Sequence, residues 1–291
     1  MAKKQAKYTP QKQKNPALRN FEEAVKLKKQ KENALIELKK TEIYQHYADF
    51  QRFMQWENPP EFVIEPILVN EYHAETKMPE KIGDPFTIEL SPAVVRRQRD
   101  SYPAVLFHEF THIFDDATIY EEVFQRGISR PTTWFTEAHA TEVELMYLCG
   151  FNNVTERRRI PFNTSIHFCN EDMCLESFGE QKKVEYQNHL SRAKQNLLEG
   201  NHSEIAKEYA QAIKRVQYYF GFLRFCKLHC EMDVDTWSRI IRTDFLVTEL
   251  GSNIIKIKNI ILKKNICADD FANLYTYDTD MFKTWRKRNT K

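Results

Sequence analysis

Apolar residues recur at helical spacing over most of this chain and alternate with polar ones in only one short window. Residues 17–56 place Ile43, Tyr47, Phe50 and Met54 on one side at steps of three and four, which predicts a long amphipathic helix. "ENPPEF" breaks that pattern. The runs "EFVIEPILVN" and, after "KIGDP", "FTIEL" then predict a small sheet of two or three strands. "SPAVV" reads as a helical turn and "SYPAVLFHEFTHIFDD" as a longer helix, capped by Asp100 or Ser101, with Pro103 tolerated in its first turn. After a linker, "RPTTWFTEAHATEVELMYLCGF" predicts a second strong helix, with a cap at Thr132 or Thr133 and a stop at Gly150.

Beyond about residue 180 the pattern stays helical almost to the end. Asn201 and Glu204 form a capping box ahead of "IAKEYAQAIKRVQYYFGFL". Asp235 caps "TWSRIIRTDFLVTELG", and "NIIKIKNIILKK" is a further helix. The chain has only 7 glycines, which disfavours a sheet built on tight hairpins. The expected fold is α+β and predominantly helical: a small sheet packed on two central helices, followed by a helical C-terminal part. The expected divisions are a basic tail over 1–16, a helical segment over 17–57, a core over 61–150 and a helical subdomain over 151–291.

Charge narrows the partners. Lysine and arginine number 43 against 41 acids, so nucleic acid is not expected as a partner of the whole chain. The tail "MAKKQAKYTPQKQKNP" carries lysines and no acid and reads as a solvated, disordered tail, with a weak electrostatic handle for nucleic acid or an anionic surface as the alternative. No run of eighteen apolar residues predicts a membrane span, and no apolar core of a secretory signal opens the chain. Six cysteines in 291 residues do not suggest a disulfide scaffold. A cytoplasmic location is the expectation.

Within the apolar run "AVLFHEFTHIFDD", two histidines and a glutamate are costly to desolvate unless something binds them. Positions i and i+4 share one helical face, so His108 and His112 can aim at a single ion. Glu109 stands about 100° around the helix and can reach a water on that ion. The pattern H-E-x-x-H is a zinc motif with the glutamate as general base. A histidine pair hydrogen-bonded within a core is the bland counterpart, and a third ligand separates the two. Candidates in "WFTEAHATEVE" are Glu137, His139, Glu142 and Glu144. His139 points about 200° away from Glu137, so those two cannot hold one ion.

The segment "WFTEAHATEVE" resembles the W-L-N-E-G-x-x-x-x-x-E helix of gluzincin aminopeptidases. Together with "HEFTH" it makes residues 100–150 similar to the catalytic core of zincin metallopeptidases. The resemblance implies Zn2+ as cofactor, held by His108, His112 and Glu137, with Glu109 as catalytic base and a peptide or protein as substrate. It implies that Glu144 steadies a ligand histidine, and that Asp116 matches an acid found at that offset in thermolysin-like members. The oxyanion donor would be a Tyr or His of the C-terminal part; Tyr186, Tyr209, Tyr218, Tyr219 and His189 all stand open. The spacer after His112 is longer than in the aminopeptidases and a G-x-M-E-N segment is missing, so aminopeptidase activity is not implied. "FTIEL" is expected as the edge strand that aligns an extended peptide.

Two other functions compete. "TEAHATEVELMYL" resembles the E-x-E-A-x-x-F-A-x-x-L-L helix of the ImmA/IrrE group, which implies a regulatory protease acting on a repressor. A noncatalytic zinc-binding interaction protein is the third. His167, Cys169 and Cys174 with Cys226, His229 and Cys230 could form a structural zinc site, although Cys226 and Cys230 suit a helix core equally well. The basic runs "VVRRQR" and "ERRR" are solvated faces or, alternatively, attract acidic substrates.

Overall fold

The computed structural model describes residues 16–67, 69, 73–81, 83–96, 101–124, 133–168 and 171–289. Residues 1–15, the caps expected at Asp100 and Thr132, Arg97, Arg99 and Cys169 lie outside the described residues. The fold is α+β and predominantly helical, with a small sheet ahead of a helical C-terminal part. Among the described residues no helix is long and apolar enough to cross a membrane.

The first helix, α1 (Pro16–Met54), buries Ile36, Ile43, Tyr47, Phe50 and Met54. Steps of seven, four, three and four keep these on one stripe, which faces the rest of the molecule. Three strands follow: β1 (Phe62–Pro66), β2 (Ala74–Lys77) and β3 (Phe86–Leu90), in the order β1-β3-β2. β1 runs parallel to β3 and β2 antiparallel to it. The expectation for "FTIEL" is therefore corrected: Phe86–Leu90 is the middle strand, and its side chains are largely buried on both faces. The edges are Phe62–Pro66 and Ala74–Lys77, and the latter's alternation is too polar to announce a strand. Phe62, Ile64, Phe86 and Ile88 are buried, while Glu65 and Glu75 each pair in register with Glu89 on the alternate face.

After α2 (Pro92–Val95) come the two central helices, α3 (Ser101–Phe124) and α4 (Thr133–Leu148). α3 is anchored by Phe107 and Phe110. The Phe107 ring meets Phe50 at 5.4 Å, and Phe110 meets Tyr47 at 4.9 Å and Phe62 at 5.6 Å. Such tilted or edge-on aromatic pairs contribute about 0.5–1.5 kcal/mol each beyond burial. With that face packed, His108, Glu109 and His112 turn toward α4 and β2. α4 ends as expected at Gly150, whose φ of 67° is a left-handed stop. Arg158 donates to the carbonyls of Cys149 and Gly150, so this member of "ERRR" closes a helix end.

The chain continues through β4 (Ile160–Pro161), the hairpin β5 (Ser165–Phe168) and β6 (Glu171–Cys174), α5 (Leu175–Glu199) and α6 (His202–His229). It ends with β7 (Cys230–Glu231), α7 (Val234–Ile240), α8 (Asp244–Leu250), α9 (Asn253–Ile261) and α10 (Ala268–Asn289). Three local expectations are corrected. The Asn201 side chain caps nothing; Ser203 donates to it instead, at 3.2 Å. Asp233, not Asp235, caps α7, accepting from the Thr236 N–H at 2.6 Å. The helix expected from there to Gly251 breaks at residues 241–243, where the buried Lys258 ammonium donates to the Ile241 carbonyl and the Thr243 hydroxyl.

α6 lies directly across α4. A Cβ at Gly221 would stand 2.4 Å from the Ala138 carbonyl oxygen and 2.6 Å from Thr141 Cβ. Only glycine permits that approach. Lys214 and Tyr218, seven and three residues before Gly221, share its face of α6 and so are carried toward the same helix.

Candidate metal centre

His108 and His112 sit one turn apart on α3, and Glu137 faces them from the first turns of α4. His108 Nε2 lies 3.3 Å from Glu137 Oε2, and His112 Nε2 lies 3.7 Å from the same oxygen. One donor atom of each residue lies within 4.8 Å of the other two. Ligand bonds of roughly 2.0–2.1 Å arranged tetrahedrally put donors about 3.3 Å apart, so these separations suit a small divalent ion.

The surroundings decide which ring nitrogens are available. His108 Nδ1 stands 3.3 Å from Glu144 Oε2, two turns beyond Glu137 on α4. The tautomer that donates from Nδ1 to Glu144 leaves a lone pair on Nε2 aimed at the Glu137 oxygen. A lone pair aimed at a carboxylate oxygen needs a proton or a cation between them. Without a metal the proton serves: burial opposes a charged His108, but the Glu137 and Glu144 carboxylates outweigh it and raise the ring to about 10. His112 goes the other way, lowered by burial and by the neighbouring His108 against the pull of Glu137. Burial would raise Glu137, yet the His108 contact, His112 and Lys214 hold it well below the usual carboxylate range. Two nitrogens and one oxygen on a preformed frame, with one nitrogen oriented by a further carboxylate, fit a zinc ion.

Glu109 faces a cleft of about 390 Å³ that is also lined by Thr76, Met78, His112, Asp116, Glu137 and Lys214. The Thr76 hydroxyl lies 2.9 Å from both the backbone carbonyl and the carboxylate Oε2 of Glu109. Its single proton, shared between them, fixes the Glu109 rotamer beside the triad while leaving Oε1 uncommitted to Thr76. Asp116 lines the same cleft two turns past Glu109. The neighbouring Asp115 is buried and meets His139 Nδ1 at 2.7 Å.

The competing ligand candidates are engaged elsewhere. His139 is taken by Asp115. Glu142 holds Arg224 and, at 3.3 Å, His229. Of the five open oxyanion candidates, only Tyr218 reaches the site, its ring 5.6 Å from His108 in an edge-on contact. Tyr186 and Tyr219 meet edge-on at 5.6 Å, Tyr209 packs on Phe282 and Trp285, and His189 pairs with Glu208.

Two participants escaped the sequence reading. Lys214 brings its ammonium to 3.4 Å from Glu137 Oε1, the oxygen turned away from the histidines. Burial opposes that charge, but Tyr218, Glu137 and Glu109 raise the ammonium above its ordinary range. Thr76 is the other. Neither carries a local signal: one sits on a polar four-residue strand and the other in a helix 77 positions beyond Glu137. The cysteine and histidine cluster does not assemble among the described residues. His167 pairs with Asp172, Cys174 caps α5, and His229 lies against Phe151 and Glu142.

Comparison with protein-family models, with curated proteins and with solved structures gave no match for this chain.

Proposed function

We propose that this protein is a zinc-dependent metallopeptidase, with the metal held by His108, His112 and Glu137. The observation that carries the proposal is the convergence of two imidazole nitrogens on one Glu137 oxygen beside a cleft-facing Glu109. When bound, zinc supplies a Lewis acid and makes hydroxide accessible near neutral pH.

The chain's own residues do the rest. Glu109 accepts the proton of the attacking water and later delivers it to the leaving amine. Thr76 holds that carboxylate by one oxygen and so sets its rotamer at the cleft wall. Glu144 fixes the His108 ring and its tautomer. Lys214 and Tyr218 offer N–H and O–H donors on the α6 side, where negative charge grows on the carbonyl oxygen. Lys214 also keeps Glu137 Oε1 occupied, so a single oxygen turns to the histidines. The open edge of β2 forms one wall and offers backbone groups to an extended peptide.

The test is metal analysis followed by a peptide-library digest. Purified protein should carry about one zinc per chain, and Glu109→Gln should keep the zinc while losing the cleavage. Zinc with no cleavage dependent on Glu109 leaves a binding protein rather than an enzyme. No zinc at all defeats both.

A further inference from the structure

A second cavity of about 370 Å³ continues the cleft and shares Met78 and Asp116 with it. Met78, Pro79, Pro85 and Phe86 give it apolar walls, and Glu61 and Asp84 stand among them. The two spaces differ in charge. The cleft sets its carboxylates against Lys77 and Lys214, whereas among the described residues no cationic side chain lines the second cavity. Its prolines have no N–H to offer, so part of the wall lacks donors for an anion or a carbonyl. The chain passes from the end of β2 at Lys77 straight into the wall at Met78. A peptide extended along the open β2 edge therefore runs from the cleft into this cavity.

We propose that the second cavity is a specificity subsite for a lysine or arginine side chain lying a few residues from the cut bond. The assignment presumes the peptidase function proposed above. A long basic side chain matches both features, its methylenes against Met78, Phe86 and the prolines and its charged head at Glu61 and Asp84. An acidic side chain would meet like charge. A purely apolar one would cover carboxylates without pairing them, which costs free energy.

Two peptides that differ only in lysine or norleucine at one position test this on the full-length, zinc-loaded protein. Cleavage by the wild type should favour lysine at one fixed distance from the cut. Glu61→Gln with Asp84→Asn, both exposed, should lower kcat/KM for the lysine peptide about three- to tenfold and leave the norleucine peptide unchanged. The preference should shrink with added salt. Cleavage that depends on Glu109 but ignores the lysine, or an equal loss for both peptides, overturns the subsite and leaves the peptidase standing. Should nothing be cleaved, binding of the same two peptides to Glu109→Gln by calorimetry decides. Tighter binding of the lysine peptide, lost in the Glu61 and Asp84 variant, upholds the cavity as a basic-side-chain site; equal binding overturns it.

Discussion

Among the described residues, two groups of histidine and glutamate bring their donor atoms within 4.8 Å of one another, and they are chemically unlike. On the helices, His108, His112 and Glu137 have side chains no more than 14% exposed, and Glu144 orients one ring from behind. On the sheet, His73 Nε2 lies 3.6 Å from Glu75 and 3.4 Å from Glu89, but with side chains 34% and 53% exposed at His73 and Glu75. The Lys77 ammonium already bonds Glu89 there. In both groups a lysine sits on the carboxylate oxygen away from the histidine, Oε1 of Glu137 and Oε1 of Glu89, so a resident lysine does not separate them. Closeness of donors is thus a weak criterion. What distinguishes the helical group is its burial and a ring fixed by a further carboxylate.

The strongest way to break this comparison is to remove each group in turn. His108→Ala with His112→Ala should abolish bound zinc, measured by plasma mass spectrometry on dialysed protein. Loss of two of three ligands leaves one carboxylate, which cannot hold the ion against a chelator. Zinc persisting in that variant would place the metal elsewhere.

Next in size is Glu109→Gln. A positioned general base contributes about 10²–10⁴ in rate, so kcat should fall by that factor with zinc content unchanged. Equal turnover by the two proteins would assign the cleavage to other chemistry.

These two experiments address what the sequence displays most clearly, and the reason is geometric. His108, Glu109 and His112 lie within five residues, and helical periodicity alone fixes their relative directions. Glu137 and Glu144 are likewise two turns apart on one helix, so the Trp134-to-Glu144 stretch is read as a unit. What could not be read was everything that arrives from a distance. Lys214 and Tyr218 depend on how closely α6 crosses α4, which Gly221 permits but does not advertise. β2 carries no hydrophobic alternation because Glu75 and Lys77 point outward and Thr76 inward to Glu109. "FTIEL" alternates like a half-exposed strand, yet it is central, since alternation reports the faces of a strand and not its edges. The caps failed for a related reason: Asn201, Asp233 and Asp235 are all competent, and only tertiary packing chooses among competent caps.

A third effect concerns the frame that holds α4 rather than the metal. Burial would raise Glu142, but Arg224 and His229 reverse this and lower it to about 2. Arg224 also donates to the carbonyls of Ile261, at the end of α9, and of Lys263 just past it, tying the C-terminal helices to α4. A carboxylate depressed on folding adds stability that is full above its unfolded pKa and is lost as pH falls through its folded one. The contribution should therefore fade between about pH 4.5 and 2, and it amounts to roughly 3 kcal/mol. Urea unfolding across that window should show a slope that Glu142→Gln removes. An unchanged slope would mean that other carboxylates carry the acid sensitivity.

Glu144→Gln should have a smaller effect that sharpens the contrast between the two groups. Groups that orient a ligand histidine typically change metal affinity by about 10–100-fold, so zinc should be weakened by that factor without being lost. Glutamine can still accept from His108 Nδ1 but lacks the charge that makes the ring a better donor. A competition titration against a chelator reads this directly, and an unaltered affinity would reduce Glu144 to a packing role.

The smallest expected effect is on the sheet. His73→Ala with Glu75→Gln removes two of the three donors of that group, yet both side chains are partly solvated and Lys77 stays on Glu89. Exposed pairs of this kind contribute about 0–1 kcal/mol, so the stability change should stay within that range. Zinc should remain at one per chain. A wild type with two bound ions, one of which this variant loses, would show that a half-exposed histidine without a fixing carboxylate still holds a metal. Proximity of donors would then suffice, and the distinction drawn from Glu144 and the paired histidines would fail.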